Sequence, residues 1–191
     1  AKSTKCDVLI TEIGGTTGDI ESQPFLEAIR QVSLEVGRRN CVFIHVALVP
    51  YLSGSNEHKS KPTQHSVKEL MSQGIHPDII VTRVDMPMNM AIKDKIAMFC
   101  NVDKDCVIEN ITVGTLYEAP LMLHEHGLDK VVCQKLELPS GEVDLVQWTA
   151  LVDRIHNLKK NVKIAIVGKY VSLQDAYLSV REALYHGGYE N

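Results

Sequence analysis

Carboxylates and glycines are closely spaced in residues 12–22, which read EIGGTTGDIES. An apolar run (Val8, Leu9 and Ile10) precedes this segment, and Pro24-Phe25-Leu26, which has the composition of a helix start, follows it. A strand, a glycine loop and a helix in this order are typical of a phosphate and metal site, because glycine lets the backbone approach a ligand closely. The carboxylates need a cation, sugar hydroxyls or solvent as partners. A strand-to-helix turn with solvated acids is the alternative interpretation.

A second candidate segment is the basic run KSKPTQ at residues 59–64, at the end of a long polar loop. Its two lysines can meet a triphosphate as point charges, and the amide of Gln64 can pair with a base edge. Thr63 is a candidate cap for a helix over 63–73, whose N-terminal amides would favour an anion. Without further information, a solvated basic loop is the favoured explanation of these residues.

Composition restricts the class of protein. The chain has 191 residues, 45% hydrophobic residues, 23% charged residues and a net charge of -4, so no broad basic face is available for nucleic acid or a membrane. No apolar run approaches the roughly 20 residues that span a bilayer, and no signal peptide is visible. The five cysteines are odd in number and none are spaced C-x-x-C, so we expect free thiols in a reducing cytoplasm.

Apolar, β-branched runs alternate with helical patterns along the chain, which predicts an α/β fold with a doubly wound, mostly parallel sheet. Helix 24–37 is expected to bury one face, formed by Phe25, Ile29, Val32 and Val36. Strand 41–49 is expected to be central, and the residues that follow the strands (Glu12, 51–64 and Arg83) are expected on one edge. Strands are predicted at 6–13, 41–49, 78–83, 106–110 and 162–167, and helices at 24–37, 63–73, 90–100, 115–126, 146–158 and 173–185.

Three blocks in the sequence resemble the CTP synthase family, the glutamine-dependent amidoligases that make CTP from UTP. They are EIGGTTGDIES followed by PFLEAIRQ, KSKPTQHS at 59–66, and VGKYV at 167–171 leading to Asp175-Ala176-Tyr177. The resemblance runs in order over essentially the whole chain. It implies an internal fragment that covers the second half of a P-loop-NTPase-like synthetase (amidoligase) domain (1–138), a linker (139–161) and the first βα unit of a class I glutamine amidotransferase domain (162–191).

The resemblance also implies roles for individual residues. Glu12 would be a Mg²⁺ ligand, although it could also be a solvated or capping glutamate. Asp19 and Glu21 could simply offset the dipole of the next helix. Four histidines (58, 65, 124 and 126) are expected to be polar or packing residues, and no catalytic residue is assigned. The residues implied for UTP or CTP are Asp19, Ile20, Glu21, Lys59, Ser60, Lys61, Pro62, Thr63, Gln64 and Lys95, and those implied for ATP are Arg83, Ile111, Thr112 and Val113.

In the reaction that the family implies, ATP phosphorylates the pyrimidine 4-oxygen and ammonia from glutamine displaces the phosphate. A homotetramer in the cytoplasm is implied, without nucleic-acid or membrane partners. No G-x-x-x-x-G-K-[ST] loop occurs in the sequence, and no glutaminase nucleophile is recognised, so we expect the chain alone to be inactive. A non-catalytic pyrimidine-nucleotide binding or assembly module is the alternative. A dethiobiotin-synthetase-like ligase is a weaker one, because residues from Val167 resemble a glutaminase.

Overall fold

The computed structural model describes residues 6–191 and divides the chain into two units after Gly141. The first unit is built on a parallel sheet of three strands in the order β1-β4-β5, and β2 pairs with β3 in a short antiparallel hairpin. Ile44 of β1 pairs with Ile79 of β4, and Val84 of β4 pairs with Ile111 of β5. The strands are β1 (Ile44–Leu48), β2 (Tyr51–Leu52), β3 (Glu57–His58), β4 (Ile79–Val84) and β5 (Val107–Ile111).

Within residues 6–191, five α-helices belong to the first unit and two to the second. They are α1 (Gln23–Val36), α2 (Lys61–Ser72), α3 (Met90–Cys100), α4 (Ala119–Glu125), α5 (Leu128–Lys135), α6 (Val146–His156) and α7 (Leu178–Glu190). Helix α3 has the predicted bounds, and α1, α2 and α6 differ from the prediction by at most two residues at either end. The predicted helix 115–126 is a short 3₁₀ segment followed by α4, and α5 was not predicted.

Strand β4 is the centre of the sheet because its apolar side chains alternate between two buried faces. Ile80 and Val84 pack with residues of α2 and α3, including Val67 and Ile96. On the other face, Ile79 and Val81 lie in a cluster against which residues of α4 and α5 pack (Leu123, Leu128, Val131 and Val132). Helices therefore cover both faces of the parallel sheet, which confirms the predicted α/β fold class.

Two of the predicted strands are absent. Residues 6–13 and 162–167 have no strand assignment, and Ile10 is 91% and Val167 95% exposed. A strand forms only where a neighbouring strand accepts and donates its backbone hydrogen bonds, and no such neighbour pairs with these runs within residues 6–191. Apolar, β-branched composition alone was therefore not sufficient to predict a strand at residues 6–13 or 162–167.

Two predictions about burial were also wrong. Strand β1 lies at one side of the sheet instead of its centre, and alternate residues such as Val46 are exposed. On α1, Leu26 and Ser33 are buried, whereas Phe25 is 62% exposed. The helical period was correct, but the neighbouring cluster of Phe43, Leu70 and Ile75 contacts the Leu26 side of the helix.

In the second unit, a 3₁₀ turn (Gln174–Tyr177) leads into α7. The Tyr177 hydroxyl donates a hydrogen bond of 2.6 Å to the carbonyl oxygen of Lys169. A Cβ at Gly168 would collide with this hydroxyl, so a larger residue there would force the Tyr177 side chain to shift. The chain forms one compact unit before and another after Gly141. The predicted domain boundaries after residues 138 and 161 remain predictions.

None of the helices within residues 6–191 is long and apolar enough to cross a membrane. Within residues 6–191 none of the five cysteines forms a disulfide bond, and Cys100 and Cys106 are buried. Burial raises the pKa of Cys100 to about 11, because an apolar environment disfavours the thiolate.

Replacement of Ile80 by alanine is expected to lower the free energy of unfolding by about 2–5 kcal/mol, because the fully buried side chain lies at the centre of the sheet. The matched control is Ile10→Ala, at a side chain that is 91% exposed, where we expect a change within about 0.5 kcal/mol. Urea unfolding measures both. Equal effects of the two substitutions would contradict the observed core.

His45 is expected to make stability depend on pH. Its ring is buried beside the Ser66 hydroxyl, 2.9 Å from Nε2, and burial lowers its pKa. Below about pH 6.5 the unfolded chain therefore binds a proton that the folded chain does not, so the free energy of unfolding falls as the pH is lowered towards the folded pKa. His45→Gln should flatten this slope between pH 7 and 5, and exposed His76→Gln is the control. An unchanged slope in His45→Gln would refute the assignment.

Candidate functional site

The carboxyl ends of the three parallel strands lie side by side, as the pairing of Leu48 with Arg83 and of Arg83 with Asn110 shows. The segments that leave this edge are 49–60, 85–89 and 112–118, which lead to α2, α3 and α4. Ligands of open α/β sheets bind at this edge. The structure therefore brings three of the predicted site segments together: 59–64, Arg83 and 111–113.

The segment after β1 is held in place by the hairpin of β2 and β3. The amide of Lys59 donates to the carbonyl oxygen of Pro50 at 2.9 Å. His58 is buried, its Nε2 lies 3.2 Å from the carbonyl oxygen of Met86, and Tyr51 packs edge-on against its ring. His58 thus joins the hairpin to the loop between β4 and α3, which is the packing role expected from the sequence.

The predicted phosphate-binding residues divide into exposed and buried ones. Helix α2 begins at Lys61, two residues before the predicted start, and Lys61 and Pro62 are exposed. Ser60 is buried and its hydroxyl accepts a 3.1 Å hydrogen bond from the Gln64 side chain. Thr63 is fully buried and donates to the carbonyl oxygen of Leu48 at 3.0 Å. The lysines are therefore accessible to a ligand, whereas Ser60 and Thr63 fix the start of the helix.

Lys95 is exposed in the second turn of α3. Asn89 caps this helix by accepting a 2.9 Å hydrogen bond from the amide of Ile92. The buried carboxylate of Glu109 accepts a 2.6 Å hydrogen bond from the amide of Met88 and forms a 2.9 Å ion pair with Lys93. Charge-assisted bonds of this kind fix the loop before α3 and so the position of Lys95.

Side-chain hydrogen bonds join the ends of β4 and β5 around the predicted ATP residues. Arg83 donates to the Asn110 side chain at 3.1 Å, and the Thr112 hydroxyl donates to the Asp85 carboxylate at 3.0 Å. The amide of Thr112 also donates to the carbonyl oxygen of Val84. Asn110, Asp85 and Glu109 were not predicted as positioning residues, because only the strand register shows which side chains face each other. Ile111 and Val113 are half-buried beside them.

The glycine loop is ordered by its own polar groups. Asp19 accepts a 2.9 Å hydrogen bond from the amide of Thr16, and the Ser22 hydroxyl donates to the carbonyl oxygen of Asp19. Gly18 has a φ of 101°, and a Cβ there would lie 3.1 Å from Cγ of Glu69 on α2. The loop thus packs on α2 at Glu69, eight residues or ~12 Å along the helix axis from Lys61. Ile20 and Glu21 are exposed.

Glu12 is the candidate magnesium ligand. Its carboxylate is exposed and folds back towards Gly14, where a Cβ would lie 3.5 Å from Oε1. Among residues 6–191, no group of three or more His, Cys, Asp or Glu side chains is arranged to hold a metal ion. Mg²⁺ commonly takes one or two carboxylates together with phosphate oxygens and water, so a single accessible carboxylate fits this ion in the presence of a nucleotide.

Glu57, in the hairpin of β2 and β3, is an acidic residue of this edge whose pKa is shifted by its neighbours. The pKa of this carboxyl is lowered, first by a hydrogen bond from Lys59, then by one from Ser55, and also by the charges of Lys59 and Lys95. Two of the three lysines expected to bind a pyrimidine nucleotide, Lys59 and Lys95, therefore act on the same carboxylate. Glu57 was not among the predicted site residues.

A parallel sheet with helices on both faces, and with basic and polar residues gathered at its carboxyl edge, defines an α/β domain of the amidoligase-like type. A family model described as the CTP synthase N-terminus matches residues 1–138. The chain belongs to the CTP synthase family.

Individual relatives agree with the family match. The chain is 60% identical over 191 residues to a CTP synthase of Clostridium kluyveri, 59% identical over 191 residues to one of Clostridium beijerinckii, and 57% identical over 188 residues to one of Bacillus pumilus. These alignments cover 98–100% of this chain and 35–36% of each relative. The chain thus spans about a third of the length of these relatives.

These matches refine the predicted description of the chain. The family model is that of the N-terminus, so the match supports the N-terminal part of a CTP synthase. It does not support the narrower prediction of an internal fragment from the second half of the synthetase domain. The prediction of a glutaminase start at 162–191 lies outside the residues that the family model matches.

Replacement of Thr63 by valine is expected to loosen the start of α2, because the hydrogen bond to Leu48 is lost while the shape is kept. We expect a loss of about 1 kcal/mol in the free energy of unfolding and faster hydrogen exchange at the amide of Gln64. The matched control is Thr82→Val, because Thr82 is also fully buried and donates to the carbonyl oxygen of Ile108 at 3.0 Å. Unchanged exchange at Gln64 in Thr63→Val would contradict the positioning role.

Proposed function

We propose that this chain forms the nucleotide-binding part of a CTP synthase, a ligase that aminates UTP to CTP with ATP in pyrimidine biosynthesis. The observation that supports the proposal is that KSKPTQ begins α2 at the carboxyl edge of the sheet, the same edge at which Arg83 and residues 111–113 lie. The same segment has the residues expected of a triphosphate site, and the chain is 60% identical to a CTP synthase.

UTP is proposed to lie along the exposed side of residues 59–64. Lys59, Lys61 and Lys95 would bind the triphosphate, while the amide of Gln64 can reach a base edge. Buried Ser60 and Thr63 support this segment, and Pro62 stiffens its entry into α2. Asp19, Ile20 and Glu21 are proposed to contact the pyrimidine nucleotide from the glycine loop.

ATP is proposed to bind at the ends of β4 and β5. Arg83 would contact adenine from a position fixed by Asn110, and the backbone of Ile111, Thr112 and Val113 would supply hydrogen bonds. Glu12 would hold Mg²⁺, which supplies charge neutralisation for the transferred phosphate when it is bound. In this proposal the residues of the chain hold and orient the two nucleotides, so their contribution to the rate is positioning and charge neutralisation.

The proposal also includes glutamine as the source of ammonia. The protein is further proposed to form a homotetramer and to be located in the cytoplasm. These parts of the proposal rest on membership of the family and on the resemblance of residues 167–177 to the opening of a glutaminase domain. The domain division into 1–138, 139–161 and 162–191 has the same basis. The non-catalytic nucleotide-binding module is less favoured, because the relatives matched over the whole chain are CTP synthases.

The double substitution Lys59→Ala with Lys61→Ala tests the nucleotide site. If the wild-type chain binds UTP, the double variant should bind it at least about tenfold more weakly, because two charge-assisted contacts with phosphate are lost. Isothermal titration calorimetry with UTP measures the affinities, and circular dichroism verifies that α2 is retained.

A matched control is available in the second unit. Lys159→Ala with Lys160→Ala removes the same charge from two exposed lysines and should leave UTP affinity within about twofold. Equal UTP affinity in the wild type and the Lys59/Lys61 variant would show that residues 59–64 are not the triphosphate site. Equal weakening by both double variants would indicate a non-specific effect of net charge.

A further inference from the structure

Glu57 and Lys59 lie on the same side of the hairpin strand, because side chains two residues apart along extended backbone point the same way. His58, between them, points into the protein and is buried against Met86. The hairpin thus presents a carboxylate and an ammonium group together at the surface. Their side chains form an ion pair and remain 49% and 42% exposed, respectively.

In the proposed function Lys59 binds the triphosphate. In the structure, the ammonium group of Lys59 is paired with Glu57. Lys59 contacts Glu57, and the charge of Lys95 lowers the pKa of the same carboxyl. Ser55 adds a hydrogen bond to Glu57 from the hairpin turn. The Glu57 carboxylate therefore pairs with the Lys59 ammonium group that a bound phosphate would need, and the charge of Lys95 acts on the same carboxylate.

We infer that Glu57 is a further residue of the nucleotide site, where it competes with the ligand's phosphate groups for Lys59 and so sets the affinity for triphosphate. This inference rests on the proposed function. A phosphate that approaches Lys59 either displaces the Glu57 carboxylate or lies beside it. In the first case the ion pair is lost, and in the second like charges repel, so both cases weaken binding.

Replacement of Glu57 by glutamine should strengthen UTP binding by roughly two- to fivefold at low salt, the range expected for an exposed ion pair. The gain should increase with the charge of the ligand, from UMP through UDP to UTP, because repulsion scales with the number of phosphate charges. It should decrease at high salt, because exposed charges are screened. A purely structural role of Glu57 would produce neither trend.

The test measures the affinities of UMP, UDP and UTP for the 191-residue chain by calorimetry at two salt concentrations. Glu35→Gln, an exposed glutamate on α1, is the matched control for the change of net charge. Tighter UTP binding by Glu57→Gln alone, graded with phosphate number, would support the inference. An equal gain in Glu35→Gln would assign the effect to net charge and overturn it.

The two proposals fail in different ways. If the wild type binds UTP and Lys59→Met weakens binding, but Glu57→Gln binds UTP equally well or less well, the inference is wrong and the proposed site stands. If neither the wild type nor Glu57→Gln binds UTP, the proposed function fails for this chain and the inference fails with it. Binding that appears only in Glu57→Gln would support both.

Discussion

Strand β4 and its parallel pairing with a neighbour on each side is the constraint on which the rest of the first unit depends. Its backbone groups bond to β1 and β5, and its side chains are buried by helices on both faces. A shift of register by one residue would exchange the two buried faces. The fixed register also determines which side chains meet at the carboxyl edge, where Arg83 lies between Leu48 and Asn110.

The candidate site is positioned by side chains that do not themselves face a ligand. Thr63 ties α2 to the end of β1, His58 ties the hairpin to the loop before α3, and Glu109 fixes that loop. Each bond joins a buried polar side chain to the backbone of a neighbouring segment, and such groups are costly to leave unpaired. The exposed lysines therefore extend from backbone segments that buried hydrogen bonds hold in place.

Local sequence signals predicted the three strands of the parallel sheet and most of the helices that pack on it, but not α5 or the hairpin of β2 and β3. Helix α3 has the predicted bounds, and the strands around Ile44, Ile79 and Val107 were identified from apolar runs. The same signal failed for residues 6–13 and 162–167, since strand formation needs hydrogen-bonding neighbours that composition does not report. The face of α1 was misassigned because Ser33 is buried and Phe25 is exposed, a reversal of the usual preference of both residue types.

The sequence by itself determined the α/β class, the order of most elements and the family, because hydrophobic periodicity and the motifs EIGGTTGDIES and KSKPTQ are local in the chain. It also identified the lysines and Arg83 as candidate ligand contacts. Only the tertiary structure decided which of these residues are exposed, and which partners hold them. Asn110 and Asp85 act through neighbours that folding brings together from distant parts of the chain, and single-sequence patterns carry no record of such pairs.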